Sequence, residues 1–396
     1  MTDFLEKHAV PGGSLAVSHD RRIVYAKGFG LADLDAKTAV ESKSLFRIAS
    51  ISKPITAVAV LQLADAGKVD LDEPILNFIR IKPDTRLDPR WYLITVRHCL
   101  QHTGGWDRNI SGDPIGMPWR IAKDLGTNVP VPLEDVIRFT MRQPLDHDPG
   151  TRFAYSNVGY LLLGRVVAEA SGRHYEEYVR NAVLAPLGIT DMELGRALPE
   201  HRSKREVSYY DSKRGSGLGL YPPRVNERVP FPDGAGNLEG YEAHGGWIAS
   251  ASSLVKFALA FDLPSFCPIL SRRAIRTMWE HPRGLPTSDV WYGCGWSVRH
   301  AGENGLNAWH GGLISGTSTL LVRRHDGWNW AALFNTDRSS NGKILLNLID
   351  PLLHAAVNEV ARASGQESRI GPPRALEFSE RVVFPGRERP TASRSQ

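Results

Sequence analysis

Apolar and polar positions alternate along "GGSLAVSHDRRIVYAKGFG" (12–30), where two apolar runs flank a polar turn at His19–Arg22. That pattern predicts a β-hairpin. The run after Ser50, "ISKPITAVAVLQLADAG" (51–67), is apolar nearly all round, with Thr56, Gln62 and Asp65 its main polar interruptions. A helix of that kind belongs in the middle of a domain. From 70 to about 200 the pattern is helical and loop-rich, as in "EDVIRFTMRQPL" (134–145) and "VGYLLLGRVVAEASG" (158–172), the latter stopping at Gly172. Residues 200–245 are rich in Gly, Pro and charge with little periodicity, which predicts a long functional loop. "GTSTLLVRRHDGWNWAALFNTD" (316–337) places two β-type runs around Asp326–Gly327, a second hairpin. "KILLNLIDPLLHAAVNEVARASG" (343–365) is helical, with a break expected near Pro351.

The order is strands, a buried helix, a helical middle, then strands and a helix again. It predicts an α/β domain assembled from both ends of the chain, residues 1–69 and 245–365, carrying Ser50, Lys53 and His310. A mostly helical domain, 70–200, is inserted and carries Tyr155 and Asn157. Residues 201–244 form the rim of the cleft between them, and 366–396 an extended tail.

Composition changes this picture little. The 396 residues carry a formal net charge of +5, but basic and acidic residues are interspersed, and no nucleic-acid motif is present. No apolar run reaches bilayer length, and "MTDFLEKHAVPGG" lacks a signal-peptide pattern, so a cytoplasmic location is expected unless a leader has been trimmed. Three scattered cysteines predict neither disulfides nor a metal site. No metal or nucleotide cofactor is expected: His-Glu-x-x-His, Rossmann and P-loop signatures are missing, as is the Gly-x-Ser-x-Gly elbow.

Ser-x-x-Lys occurs three times, at Ser50/Lys53, Ser253/Lys256 and Ser340/Lys343. Only the first has a chemical setting. Pro54 stops a regular helix from extending upstream of Ser50, which puts the hydroxyl at a helix amino terminus where negative charge is favoured. Lys53, one turn on, enters an apolar region where desolvation lowers its pKa and frees an amine as base. The plain alternative is an N-cap serine beside an exposed lysine. "PGTRFAYSNVGYLLLG" (149–164) adds the chain's one Tyr-x-Asn, Tyr155 and Asn157, whose plain alternatives are a buried aromatic and a helix cap. His-x-Gly also recurs along the chain. His310-Gly311-Gly312 precedes a β-type run, where glycines let a substrate lie along a strand edge, whereas His102 and His244 read as loop geometry.

In this order the elements resemble the serine β-lactamase and penicillin-binding-protein superfamily, and within it the class C β-lactamase-like branch. "VPGGSLAV", "CLQHTGGW", "GGWIASASSLVKFA" and "YGCGWSV" extend the likeness over residues 8–360. The resemblance implies an antiparallel sheet flanked by helices, with Ser50 as acyl-forming nucleophile, Lys53 as proton acceptor and Tyr155 as second acid/base. It also implies that Asn157 binds the substrate or orients Lys53, and that the N–H groups of Ser50 and Leu313 form an oxyanion hole. One departure stands out. Classical β-lactamases have Lys-Thr-Gly at His310-Gly311-Gly312, and histidine supplies no permanent cation for a substrate carboxylate. The expected function is hydrolysis of a small ester or amide, an esterase being favoured over a D-amino-acid peptidase or weak β-lactamase. A non-catalytic binding module is the rival from another class, and the oligomeric state stays open.

Overall fold

A computed structural model describes residues 1–302 and 305–363; the tail expected over 366–396 lies outside the described residues. Its centre is an eight-stranded antiparallel sheet drawn from both ends of the chain. The amino-terminal strands are β1 (Gly12–His19), β2 (Arg22–Asp33) and β3 (Thr38–Ala39). Short strands β4 (Phe46–Arg47), β5 (Glu193–Leu194), β6 (Ser216–Leu218), β7 (Arg228–Pro230) and β8 (Trp247–Ala249) follow outside the main sheet. The carboxy-terminal strands are β9 (Val290–Tyr292), β10 (Ser297–Ala301), β11 (Gly305–Ile314), β12 (Thr317–Arg323) and β13 (Asn329–Phe334). The spatial order is β3-β2-β1-β13-β12-β11-β10-β9, so β1 and β13 join the two ends of the chain.

Both expected hairpins form. Asp20 and Arg21 turn β1 into β2 with positive φ at both residues, and Gly327 (φ 82°) sits in the turn between β12 and β13. The inner strands are buried on both faces, so their sequences read as apolar runs rather than clean alternation. Ala331 and Leu333 of β13 face a large cluster containing the Ser52–Asp65 helix, whereas Trp330, Ala332 and Phe334 face Phe4, Leu5, Leu346 and Leu353 on the other side. Each fully buried side chain of that size contributes about 1.5–3 kcal/mol.

The helix Leu345–Ala363 runs straight through Pro351, where a break was expected. It packs on β12 and β13 and buries Leu345, Leu346, Ile349, Leu353 and Val357. That apolar stripe outweighs the roughly 3 kcal/mol that an interior proline costs. The rim segment also holds more structure than expected, since β6 and β7 pair as a small hairpin.

The Ser52–Asp65 helix is buried from Ser52 through Leu61 and at Leu63, as its sequence requires. Against it lies the Asn157–Ser171 helix, capped by Ser156, whose Oγ accepts from the Val158 N–H at 3.2 Å. The cap is therefore Ser156 and not Asn157, which leaves the asparagine amide available for other partners. No helix among the described residues is long and apolar enough to cross a membrane.

Candidate active site

Ser50 lies in a single 3-10 turn, Ala49–Ile51, directly before the buried helix. Ala49 holds φ 47°, a left-handed conformation that costs a non-glycine residue roughly 1–2 kcal/mol. The surroundings fix it: Ser52 Oγ donates to the Ala49 carbonyl at 2.7 Å, the Ile48 N–H to Trp247 at 3.0 Å, and Thr319 Oγ1 to the Ile48 carbonyl at 3.1 Å. The turn thus presents the Ser50 hydroxyl to a cavity of about 860 Å³.

Lys53 is 0% exposed, and burial drives its amine well below the ordinary lysine range. The charge of Arg108 lowers it further, and that of Asp113 opposes the shift. Nζ lies 3.0 Å from Ser50 Oγ, 2.8 Å from Asn157 Oδ1 and 2.8 Å from the His244 carbonyl oxygen. A neutral amine has two N–H bonds and one lone pair. The two carbonyl oxygens can only accept, so they take both hydrogens and leave the lone pair for Ser50. The asparagine is oriented in turn, because its Nδ2 donates to Asp113 Oδ2 at 2.6 Å. Asp113 Oδ1 accepts from the Ile115 N–H at 3.2 Å, and burial raises this carboxyl above its usual range.

Burial pushes the Tyr155 phenol up to about 12, a rise that the nearby Ser50 hydroxyl opposes. Its ring lies 4.9 Å from Lys53 Nζ, 4.8 Å from the Arg108 guanidinium and 4.2 Å from the His102 ring. His102 is buried and accepts from the Ser156 N–H through Nδ1 at 3.3 Å, so it supports the tyrosine wall rather than a simple glycine turn.

His310 is buried and pushed down to about 3. Its Nδ1 faces the Gly311 carbonyl at 2.7 Å, which fixes the proton on that nitrogen, and Nε2 then accepts from the Tyr292 hydroxyl at 2.9 Å. The histidine is a neutral strut between β11 and β9. Gly312 brings β11 onto the turn that holds Ser50: a Cβ there would stand 2.2 Å from the Ile48 carbonyl oxygen. Strand β10 stops pairing at Trp309, so the far edge of 310–314 is left open, and Gly311 and Leu313 line the cavity.

The structure therefore brings Ser50, Tyr155, Asn157, His310, Gly311 and Leu313 around one cavity, with Lys53 buried against Ser50 and Gly312 a packing position behind the wall. The other two Ser-x-x-Lys pairs lie elsewhere. Ser250 caps the Ala251–Leu259 helix, Ser253 Oγ donates to Asp191 at 2.6 Å, and Lys256 reaches the Gly188 carbonyl. Arg108, Asp113, Tyr292 and the His244 carbonyl join the site without having been singled out. Arg108 and Asp113 sit in "WDRNISGDPIG", which has no periodicity, and a main-chain acceptor leaves no mark on side-chain identity.

The sequence signature of the Beta-lactamase family matches residues 1–350. The chain belongs to the beta-lactamase family. Penicillin-binding protein 4* of Bacillus subtilis (strain 168) is 26% identical over 326 residues, covering 81% of this chain and 67% of that protein. Protein flp of Staphylococcus aureus (strain MRSA252) is 30% identical over 224 residues, covering 56% of this chain and 42% of that protein. This family member thus spans about two thirds of the first relative and less than half of the second. The octameric penicillin-binding protein homologue from Pyrococcus abyssi is 26% identical with a TM-score of 0.67, covering 95% of this chain and 77% of that one. The D-amino acid amidase from Ochrobactrum anthropi SV3 is 25% identical with a TM-score of 0.67, covering 91% of this chain and 98% of that one. The fold is that of the β-lactamase/transpeptidase group, and the family is one of serine hydrolases.

Proposed function

We propose that this β-lactamase-family member hydrolyses small esters, and more slowly amides, through an acyl-enzyme on Ser50. The observation that carries the reading is the buried Lys53 amine 3.0 Å from Ser50 Oγ, with both its hydrogens taken by fixed carbonyl acceptors. Two groups could act as base. Burial lowers the lysine and raises the tyrosine to about 12, so at neutral pH Lys53 is the acceptor and Tyr155 the donor.

Ser50 Oγ attacks the carbonyl carbon as Lys53 takes the hydroxyl proton. The carbonyl electron pair moves onto oxygen, which receives the main-chain N–H groups of Ser50 and Leu313. Losing one such donor typically costs about 2.7–4 kcal/mol of transition-state stabilisation. The oxygen pair returns, the C–O or C–N bond breaks, and Tyr155 protonates the departing alcohol or amine. Lys53 then gives its proton to the phenolate, which leaves both groups neutral for deacylation. Water attacks the acyl carbonyl with the same groups in reverse roles, releasing the acid and restoring Ser50.

Ester preference rests on the site's apolar walls and on the neutral His310. Phe153, Phe231, Leu238, Trp291 and Leu313 line the cavity, and β11 itself places no cation at the strand edge for a peptide's terminal carboxylate or a β-lactam carboxylate lying along it. A second reading, a D-amino-acid amidase, is favoured by the similarity to the Ochrobactrum enzyme, because an amide also lacks that carboxylate. A panel of p-nitrophenyl butyrate, D-phenylalanine amide and a chromogenic cephalosporin tests both. The expected order is ester, then amide, with the cephalosporin slowest, and Ser50→Ala should abolish turnover and fluorophosphonate labelling. Amide turnover faster than ester turnover favours the second reading, and labelling that survives Ser50→Ala overturns the choice of nucleophile.

A further inference from the structure

The cavity wall carries three arginines, Arg47, Arg108 and Arg152, against one carboxylate, Asp113. Arg47 is already engaged elsewhere. It donates to the Pro232 and Arg196 carbonyls at 2.8 and 2.9 Å and lies 3.7 Å from the buried Glu206 carboxylate. Asp113 is committed to the Asn157 amide and the Ile115 N–H. Arg108 has a different setting. It is half-buried, its guanidinium rests 4.8 Å over the Tyr155 ring, and no carboxylate among the described residues comes within ion-pair distance of it. Exposed Arg152 at the rim lacks such a partner too.

A guanidinium held against a ring in an apolar-walled cavity keeps its charge, and its planar donor fork matches a carboxylate. The strand edge, where relatives of the classical kind carry a lysine, presents only a neutral imidazole here. We propose that Arg108 is a specificity residue that anchors a carboxylate on the substrate, with Arg152 steering the anion inward, so that the preferred substrates are carboxylate-bearing esters or amides. The inference rests on the serine-hydrolase reading above and names its substrate class. The shared chemistry is the carboxylate, which could belong to the acyl part or to the alcohol part.

Three esters separate the possibilities: neutral p-nitrophenyl butyrate, p-nitrophenyl hemiglutarate (carboxylate on the acyl part) and 4-carboxyphenyl butyrate (carboxylate on the alcohol part). The quantity read is the ratio of kcat/KM for a charged ester to that for the neutral one. The expected result is a ratio that falls tenfold or more in Arg108→Gln, mainly through KM, and is partly restored in Arg108→Lys. Damage to Tyr155 from removing its guanidinium neighbour would slow all three esters alike and leave the ratios in place. A fall for the hemiglutarate assigns the anion to the acyl part, and a fall for the other assigns it to the alcohol part. Ratios unchanged in Arg108→Gln overturn the proposal. Binding of the same esters to Ser50→Ala protein, followed by calorimetry with and without Arg108→Gln, gives a readout free of turnover. Wild-type protein that turns over none of the esters fails as an esterase, while charge-dependent binding in that background would still support the arginine's role.

Discussion

At the scale of single residues the proposed chemistry turns on one buried amine. The ordinary lysine value is near 10.4, and burial moves Lys53 well below it. Between the folded and unfolded values the unfolded chain holds a proton that the native protein lacks, so stability rises with pH across that window. Replacing Lys53 with methionine removes the titration while keeping the volume. The stability difference between wild type and Lys53→Met should therefore shift in favour of wild type as pH rises from 7 to 9, by up to about 1.4 kcal/mol per unit. Chemical denaturation at several pH values measures it, and a difference that stays flat would mean the amine is charged in the native protein. Activity should follow the same group. Ester turnover should rise through the lysine value, stay level to the edge of the tyrosine range near 12, and fall about 10²–10⁴-fold in Lys53→Met.

At the scale of elements, the Ser50 turn and strand β11 depend on each other through Gly312. A Cβ at this position would meet the Ile48 carbonyl oxygen at 2.2 Å and Thr319 Oγ1 at 2.3 Å, so backbone must move. Gly312→Ala should cost about 1–3 kcal/mol in stability and lower kcat/KM at least tenfold, because the Leu313 N–H shifts away from Ser50. Thermal melting and ester kinetics on the same preparation check both, and full activity would show that β11 has slack. The sequence revealed the two glycines but suggested a different reason for the second, room for substrate. Such packing between distant segments is invisible in one chain read linearly. What was legible depended on local rules: the proline that ends the helix at Ser50, the turn residues of both hairpins, and the apolar helix that buries Lys53. What was hidden depended on tertiary contact. The helix that continues through Pro351 is held by its stripe on β12 and β13, and the Asp113–Asn157–Lys53 chain joins residues 44 and 104 positions apart.

At the scale of the whole molecule, the proposed active site requires the two ends of the chain to meet, and Asn335 adds a side-chain tie next to the β1–β13 pairing. Its Oδ1 accepts from the Gly12 N–H at 2.8 Å, and its Nδ2 donates to the Leu31 carbonyl at 3.1 Å. Its own N–H donates to the Gly12 carbonyl at 3.2 Å, and its carbonyl accepts from the Tyr210 N–H of the rim segment at 3.0 Å. The side chain is 0% exposed, so water cannot replace a lost partner. Asn335→Leu preserves the approximate volume but leaves the Gly12 N–H and the Leu31 carbonyl unpaired, each worth roughly 1–3 kcal/mol when buried. The expected loss is about 2–5 kcal/mol in denaturant unfolding, while ester turnover well below the melting point should remain within about threefold, since Asn335 is not part of the cavity wall. The main-chain bonds through Gly12 and Tyr210 survive the substitution, so the lowered transition should stay single. Two separated transitions would instead mean that the amino-terminal hairpin and the rest of the sheet unfold as independent units, and that the fold is not closed through β1 and β13.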